Sequence, residues 1–135
     1  MEHILVVAEE CARRRRIAEI LLGFGYEVDV AEDGKSAMAV LKRRRYDVVI
    51  NENDLTGFDD VDLIRKIRSS GHIMPIIVAI QHLPRWESPQ YPWLLSVTLL
   101  FKPYGREALL QALNTALRKP VACRKARPAR RRLAG

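Results

Sequence analysis

Three short apolar runs constrain the fold of this chain more than any other feature. Residues 4–7, 48–50 and 76–78 are continuously apolar rather than alternating with polar residues. Strands of that kind are covered on both faces, which is typical of a parallel sheet. With two further candidates, the predicted strands span residues 4–7, 27–31, 47–50, 75–80 and 97–101.

Amphipathic stretches lie between these strands. Apolar residues that share one helix face are Ile17, Ile20, Leu21 and Phe24, then Ala37, Val40 and Leu41, then Leu63, Ile64 and Ile67, and finally Leu109, Leu113, Ala116 and Leu117. Spacing of this kind predicts helices that bury one face. The alternation of strands and helices predicts an α/β fold: a doubly wound, five-stranded parallel sheet with right-handed crossovers and helices on both faces.

Residues 81–96 interrupt this alternation where a fourth helix is expected. The segment contains Pro84, Pro89 and Pro92 together with Trp86, Tyr91 and Trp93. Proline removes a helical hydrogen bond and disfavours helix at the preceding residue. We therefore expect the fourth helix to be short, displaced or absent. We interpret the aromatic residues as a cover for the core, with a partner-binding patch as the alternative.

Size and charge indicate one domain followed by a basic tail. The chain has 135 residues, of which 48% are hydrophobic, enough for one sizeable core. Seven of the 23 Lys and Arg residues follow residue 118, and the other 16 balance the 16 Asp and Glu residues, all of which precede it. We predict a neutral domain over residues 1–118 and a disordered basic tail over 119–135.

The beginning of the sequence predicts a cytoplasmic protein. Residues 4–7 are already apolar, without a basic region or cleavage site before them. No apolar stretch has the length of a membrane span, so we expect no membrane association through one.

Charged residues follow several of the predicted strands. Glu9 and Glu10 come after the first strand, Glu52 after the third, and Lys102 with Pro103 after the fifth. The carboxyl ends of parallel strands open onto the crevice where α/β proteins place their sites.

These motifs, in this order and at these intervals, resemble the receiver domain of two-component response regulators over residues 3 to 118. The first-strand motif is residues 4–10, the phosphorylation loop is 46–59, the fourth strand is 75–78 and the fifth-strand signature is 101–103. The resemblance implies the strand order 2-1-3-4-5. It also implies an acidic pocket at Glu9 and Glu10, the phosphoacceptor position at Glu52, the switch position at Ile80, and the lysine and cis-proline positions at Lys102 and Pro103.

Three of these positions depart from the family pattern. Ala8 replaces one acid of the magnesium-binding pair, glutamate replaces the phosphoacceptor aspartate at position 52, and Ile80 replaces the Ser or Thr that captures a phosphoryl oxygen. Phosphoryl transfer depends on in-line positioning, and an isoleucine side chain cannot donate a hydrogen bond. We therefore predict a pseudo-receiver that acts through protein contact without an aspartyl-phosphate cycle.

Within the pocket, we expect Glu52 to pair with Lys102. A structural ion pair is favoured over a fixed charge that imitates phosphorylation, because Ile80 removes the group that would sense it. No cofactor is expected, although Glu9 and Glu52 are the candidate ligands if Mg²⁺ binds. Asp54, a possible substitute acceptor, is interpreted as a cap of local backbone amides.

Two basic runs lie on the first two helices, at residues 13–16 and 42–45. We interpret them as helix faces exposed to solvent. The alternative is a binding site for an acidic partner, which would require the two faces to align.

The expected function is therefore that of a stand-alone, non-enzymatic receiver in two-component signalling. Its partner would be a sensor kinase, a regulator or another receiver, including a second copy in a homodimer. A conventional phosphoacceptor with unusual residues is one alternative. Non-specific, salt-sensitive binding of nucleic acid through the tail is the other.

Overall fold

The structure is a computed structural model that describes residues 2–52, 58–81 and 97–118. Its elements in chain order are β1 (His3–Val7), α1 (Cys11–Gly23), β2 (Glu27–Ala31), α2 (Gly34–Arg43), β3 (Val48–Asn51), α3 (Phe58–Ser69), β4 (Ile76–Ile80), β5 (Val97–Phe101) and α4 (Arg106–Arg118). All five predicted strands are present, with ends that differ from the prediction by one residue at most.

The five strands form one parallel sheet in the order β2-β1-β3-β4-β5, as predicted. Because the strands are parallel, their carboxyl ends meet along one side of the sheet, which we call the carboxyl edge. Val7 pairs with both Ala31 and Asn51 there, and Ile80 pairs with Phe101. The opposite side, where the strands begin, is the amino edge.

The core consists of two apolar layers, one on each face of the sheet. The first is formed by α2 and α3 against the sheet, with Leu41 and Ile64 among its buried residues. The second is formed by α1 and α4, with Leu21 and Leu113 buried. Because the central strands are covered on both faces, their continuous apolar sequence is accounted for.

Local signals account for the start of α2 and the end of α1. The Asp33 side chain accepts a hydrogen bond from the Ser36 backbone N–H at 2.7 Å, and this bond lowers the pKa of Asp33. After α1 ends, Gly25 adopts a positive φ of 92° that favours glycine. The prediction that Phe24 shares the buried face of α1 is wrong. The helix stops one residue earlier, and Phe24 is 54% exposed.

The two basic runs do not align. Residues 13–16 lie on α1, which follows β1 and so begins at the carboxyl edge, in the layer shared with α4. Residues 42–45 span the end of α2 at the amino edge, in the other layer. The single partner site that an alignment would have created is therefore excluded.

The expected fourth helix at 81–96 falls almost wholly on residues 82–96, outside the described residues, as do Asp54 and the tail. Among the described helices, none has the length and apolar character needed to cross a membrane.

Candidate functional site

Glu52 lies at the carboxyl edge, directly after β3. Its backbone N–H donates to the carbonyl of Val7 at 2.8 Å, which continues the β1–β3 pairing by one residue. The residue is only 2% exposed. A carboxylate buried to this extent needs charge partners and hydrogen-bond donors around it.

Lys102 supplies the opposite charge. Its Nζ atom lies 3.2 Å from Oε1 of Glu52 and donates a hydrogen bond of 2.7 Å to the Glu52 backbone carbonyl. Oε1 itself accepts no well-aligned hydrogen bond among the described residues, so the contact with Nζ is chiefly Coulombic. The Lys102 side chain is 11% exposed, and water therefore screens this pair weakly.

The backbone around Lys102 fixes its position. Lys102 N–H donates to the Ile80 carbonyl at 2.8 Å, which ties the end of β5 to the end of β4. The peptide bond between Lys102 and Pro103 is cis.

Tyr104 completes the surroundings of Glu52. Its hydroxyl donates a short hydrogen bond to Oε2 of Glu52. Burial raises the pKa of Tyr104, and the hydrogen bond and the negative charge of Glu52 raise it further. The hydroxyl therefore stays protonated at neutral pH and remains a donor.

The sequence reasoning missed Tyr104. The available signal was its place two residues after Lys102, at the same edge of the sheet as a carboxylate that had to be buried. The two residues are 52 positions apart in the chain, and only the sheet order brings them together.

Arg14 occupies the region where the family places its metal-binding acids. Its Nη1 atom donates to the Ala8 carbonyl at 2.9 Å and lies 3.5 Å from the Glu9 carbonyl. Ala8 is buried, whereas Glu9 and Glu10 are exposed. Glu10 also forms an ion pair of 3.4 Å with Arg13. The positive charge next to the end of β1 thus comes from a side chain of α1.

These residues do not fit a magnesium ion in this arrangement. Mg²⁺ prefers six oxygen ligands in octahedral geometry. Both carboxylate oxygens of Glu52 already face Lys102 or Tyr104, and Arg14 takes the Ala8 carbonyl. Within the described part of the chain, no three His, Cys, Asp or Glu side chains lie close enough together to hold a metal ion.

Ile80, at the switch position, ends β4. Its side chain is 1% exposed and packs in the apolar layer beneath α2 and α3. The position therefore presents hydrocarbon to the core and no hydroxyl to the pocket.

The family comparison agrees with this architecture. Residues 4–114 match the response regulator receiver domain family. Regulatory protein VirG of Rhizobium rhizogenes is 25% identical over 119 residues, which are 88% of this chain and 49% of that protein. Transcriptional regulatory protein GlrR of Escherichia coli is 29% identical over 117 residues, 85% of this chain and 26% of that protein. The chain thus spans half or less of the length of these curated relatives.

Among solved structures, the chemotaxis protein CheY4 of Vibrio cholerae superimposes with a TM-score of 0.76 at 24% identity, over 87% of this chain and 99% of that one. The response regulator TrrA of Thermotoga maritima was solved in complex with Mg²⁺ and BeF. It superimposes with a TM-score of 0.73 at 25% identity, over 87% of this chain and 100% of that one. The family match over residues 4–114 contains Glu52, Ile80 and Lys102. The chain belongs to the response regulator receiver family.

Proposed function

We propose that this receiver acts in two-component signalling by contacting a protein partner, independently of phosphorylation at Glu52. The partner class is a sensor kinase, a regulator or another receiver, including a second copy of this chain. That the chain acts alone, without an attached output domain, stays a prediction from the sequence.

The observation that carries this proposal is the set of contacts around Glu52. Attack on a phosphoryl donor requires a carboxylate oxygen that is accessible and aligned with the leaving group. Glu52 is almost fully buried, with one oxygen beside Lys102 Nζ and the other bonded to the Tyr104 hydroxyl. A phosphoryl group at either oxygen would have to break one of these contacts.

Two further features support phosphorylation independence. Arg14 already places positive charge beside the end of β1, where a metal ion would have to enter. Ile80 offers no hydrogen bond to a phosphoryl oxygen, so a modified Glu52 would lack the usual means of moving the fourth-strand loop.

A binding experiment with a phosphoryl analogue tests this. The ¹⁵N-labelled protein is titrated with beryllofluoride in the presence of Mg²⁺, and amide shifts are recorded around residues 8, 52 and 102. We expect no saturable shifts, and the same result with acetyl phosphate as donor. TrrA, which has been solved with Mg²⁺ and BeF, serves as the control that the reagent is active.

A restored variant provides the matched comparison. Ala8→Asp, Glu52→Asp and Ile80→Thr together return the family residues, and Tyr104→Phe removes the bond to position 52. We expect this variant to show saturable shifts if it folds, as judged by circular dichroism. Saturable shifts in the unmodified protein would instead support a conventional phosphoacceptor and defeat the proposal.

Partner contact is tested separately. A partner captured from native cells is purified, and its affinity for the receiver is measured with and without acetyl phosphate. We expect equal affinities. A change of about tenfold or more would show that phosphorylation controls the contact.

A further inference from the structure

A basic cleft lies at the amino edge, on the side of the molecule opposite Glu52. It encloses about 660 Å³ between the end of α2 and the loop that follows α3. Residues 41–47 form one wall, and residues 70–74 form the other. The residues on which the proposed function rests lie at the carboxyl edge, away from this cleft.

Positive side chains dominate the first wall. Lys42, Arg43 and Arg45 are exposed and have no carboxylate partner among the described residues, whereas Arg44 pairs with Asp29 at 3.1 Å. The acidic residue lining the cleft is Asp47, and its Oδ2 atom accepts a hydrogen bond of 2.9 Å from the backbone N–H of a strand residue. The cleft therefore carries a net positive charge.

The dipole of α2 accounts for only some of these positive side chains. Cations in the last helical turn, here Lys42 and Arg43, interact favourably with the helix dipole. Arg44 and Arg45 lie beyond the helix end, so the dipole does not require them. Four consecutive like charges repel one another, and a bound anion would relieve that repulsion.

The second wall is held in shape by the protein itself. Arg68 donates to the carbonyl of His72 at 3.1 Å and to that of Met74 at 2.7 Å. Gly71 turns the chain with a positive φ of 91°. Internal contacts thus fix the shape of this wall.

We propose that this cleft binds the phosphate backbone of a nucleic acid. Arginine guanidinium groups match phosphate oxygens in geometry and charge, and three of the four cations are arginines.

The last described helix ends in a further basic residue. α4 follows β5 and crosses back along the sheet, so Arg118 lies at the amino edge. Seven further Lys and Arg residues follow it in the sequence. These additional cations in the sequence favour a long polyanion over a small anion as the ligand. Contacts of this kind are made to phosphates and carry no base specificity.

The test measures binding of the full chain to a fluorescent 20-nucleotide oligothymidylate by anisotropy, at several salt concentrations. The cleft variant combines Lys42→Gln, Arg43→Gln and Arg45→Gln. The matched control combines Arg13→Gln, Arg15→Gln and Arg16→Gln, which removes the same charge from α1. Circular dichroism verifies the fold of both variants.

We expect the cleft variant to bind about tenfold more weakly, and its salt slope to fall by about 2, because about three phosphate contacts are lost. The α1 control should change affinity by less than about threefold. Equal losses in both variants, or no loss in the cleft variant, would overturn the proposal.

Two further measurements distinguish binding in the cleft from binding by the tail and from preference for an acidic protein. A chain shortened to residues 1–118 should still bind the oligonucleotide more tightly than the same shortened chain with the cleft substitutions. Loss of all binding on shortening would assign it to the tail alone and overturn the proposal. Polyglutamate of equal charge should compete weakly, whereas equal competition would overturn the proposal in favour of an acidic protein partner.

Discussion

Two carboxylates in this protein are held by similar groups, one at the carboxyl edge of the sheet and one by residues near its amino edge. Glu52 is bonded to Tyr104 and paired with Lys102, and it is 2% exposed. Asp29 on β2 accepts a 2.6 Å hydrogen bond from Tyr46 and contacts two basic residues, but its side chain is 33% exposed. Each carboxylate has a tyrosine hydroxyl and basic groups as partners, but water reaches Asp29 far more than Glu52.

The network at Asp29 also includes His3 and Arg44. Their contacts with Oδ2 are 3.0 Å and 3.1 Å, and the His3 and Tyr46 rings meet edge to face at 4.7 Å. Burial tends to raise the pKa of Asp29, but the Tyr46 hydrogen bond and the charges of His3 and Arg44 outweigh it, so the pKa is lowered. Burial raises the pKa of Tyr46, and its hydrogen bond to Asp29 raises it further.

This comparison shows how burial sets the cost of losing a partner. When a solvent-exposed charge loses its partner, the free energy of unfolding changes little. When a buried charge loses its partner, the fold is strongly destabilised. Substitutions at the two edges test that difference, from the largest expected effect to the smallest.

Lys102→Met should destabilise the protein most, by about 3–5 kcal/mol, because Glu52 would keep its burial and lose its counter-ion. Urea unfolding at pH 7 measures the change. The double variant Glu52→Gln, Lys102→Met should recover at least about half of the loss, since neither charge remains and Tyr104 keeps an acceptor. A double variant as unstable as Lys102→Met would show that lost packing, not charge, is responsible.

Tyr104→Phe should cost about 2 kcal/mol, because a buried hydrogen bond to a charged group is lost. Tyr26→Phe is the control, since the Tyr26 hydroxyl has no hydrogen bond within residues 2–52, 58–81 or 97–118. It should change stability by less than about 0.5 kcal/mol.

The pH dependence of Tyr104→Phe has a definite sign. A raised folded-state pKa stabilises the fold fully below the unfolded-state value of about 10, and this contribution is lost as pH rises above it. The advantage of the unmodified protein over Tyr104→Phe should therefore shrink above about pH 10. A constant difference would mean that the Tyr104 pKa is not raised.

Asp29→Asn should lower the free energy of unfolding by about 1 kcal/mol at pH 7. This is less than the loss in Lys102→Met or Tyr104→Phe, because water reaches the Asp29 carboxylate. Its lowered pKa gives a contribution that is present above the unfolded-state value of about 3.9 and lost as pH falls through the folded-state value. The difference from the unmodified protein should disappear in strong acid. A loss at pH 7 as large as that of Lys102→Met would contradict the comparison.

Glu27→Gln should have the smallest effect, within about 0.5 kcal/mol at pH 7. Glu27 lies 3.9 Å from Nδ1 of His3, and its side chain is 63% exposed. A larger effect in urea unfolding would show that the amino edge depends on its outermost charge.

The sequence predicted the sheet well because its signals are local. Continuous apolar runs marked the strands, and resemblance to the family supplied their order, which places Glu52 beside Lys102. Phe24 was misassigned because apolar periodicity continued past the residue where α1 ends, and the local signal for that end, Gly25, was not used.

The remaining parts of the two sites depend on contacts between distant residues. Tyr104 meets Glu52, and Tyr46 meets Asp29, only after the strands are placed side by side. Arg14 is one of four consecutive arginines, and nothing in their sequence distinguishes the one that reaches the Ala8 carbonyl. Helix phase and side-chain direction decide that contact.

The two contacts at the Glu52 carboxylate also limit how this site can change over evolutionary time. Aspartate at position 52 would be shorter by one methylene and would draw back from Lys102 and Tyr104 together. The substitution Glu52→Asp alone should therefore lower stability, because both partners would lose their contact with the carboxylate. The length of the glutamate side chain is matched to the two groups that hold it, and this match limits which single substitutions the site tolerates.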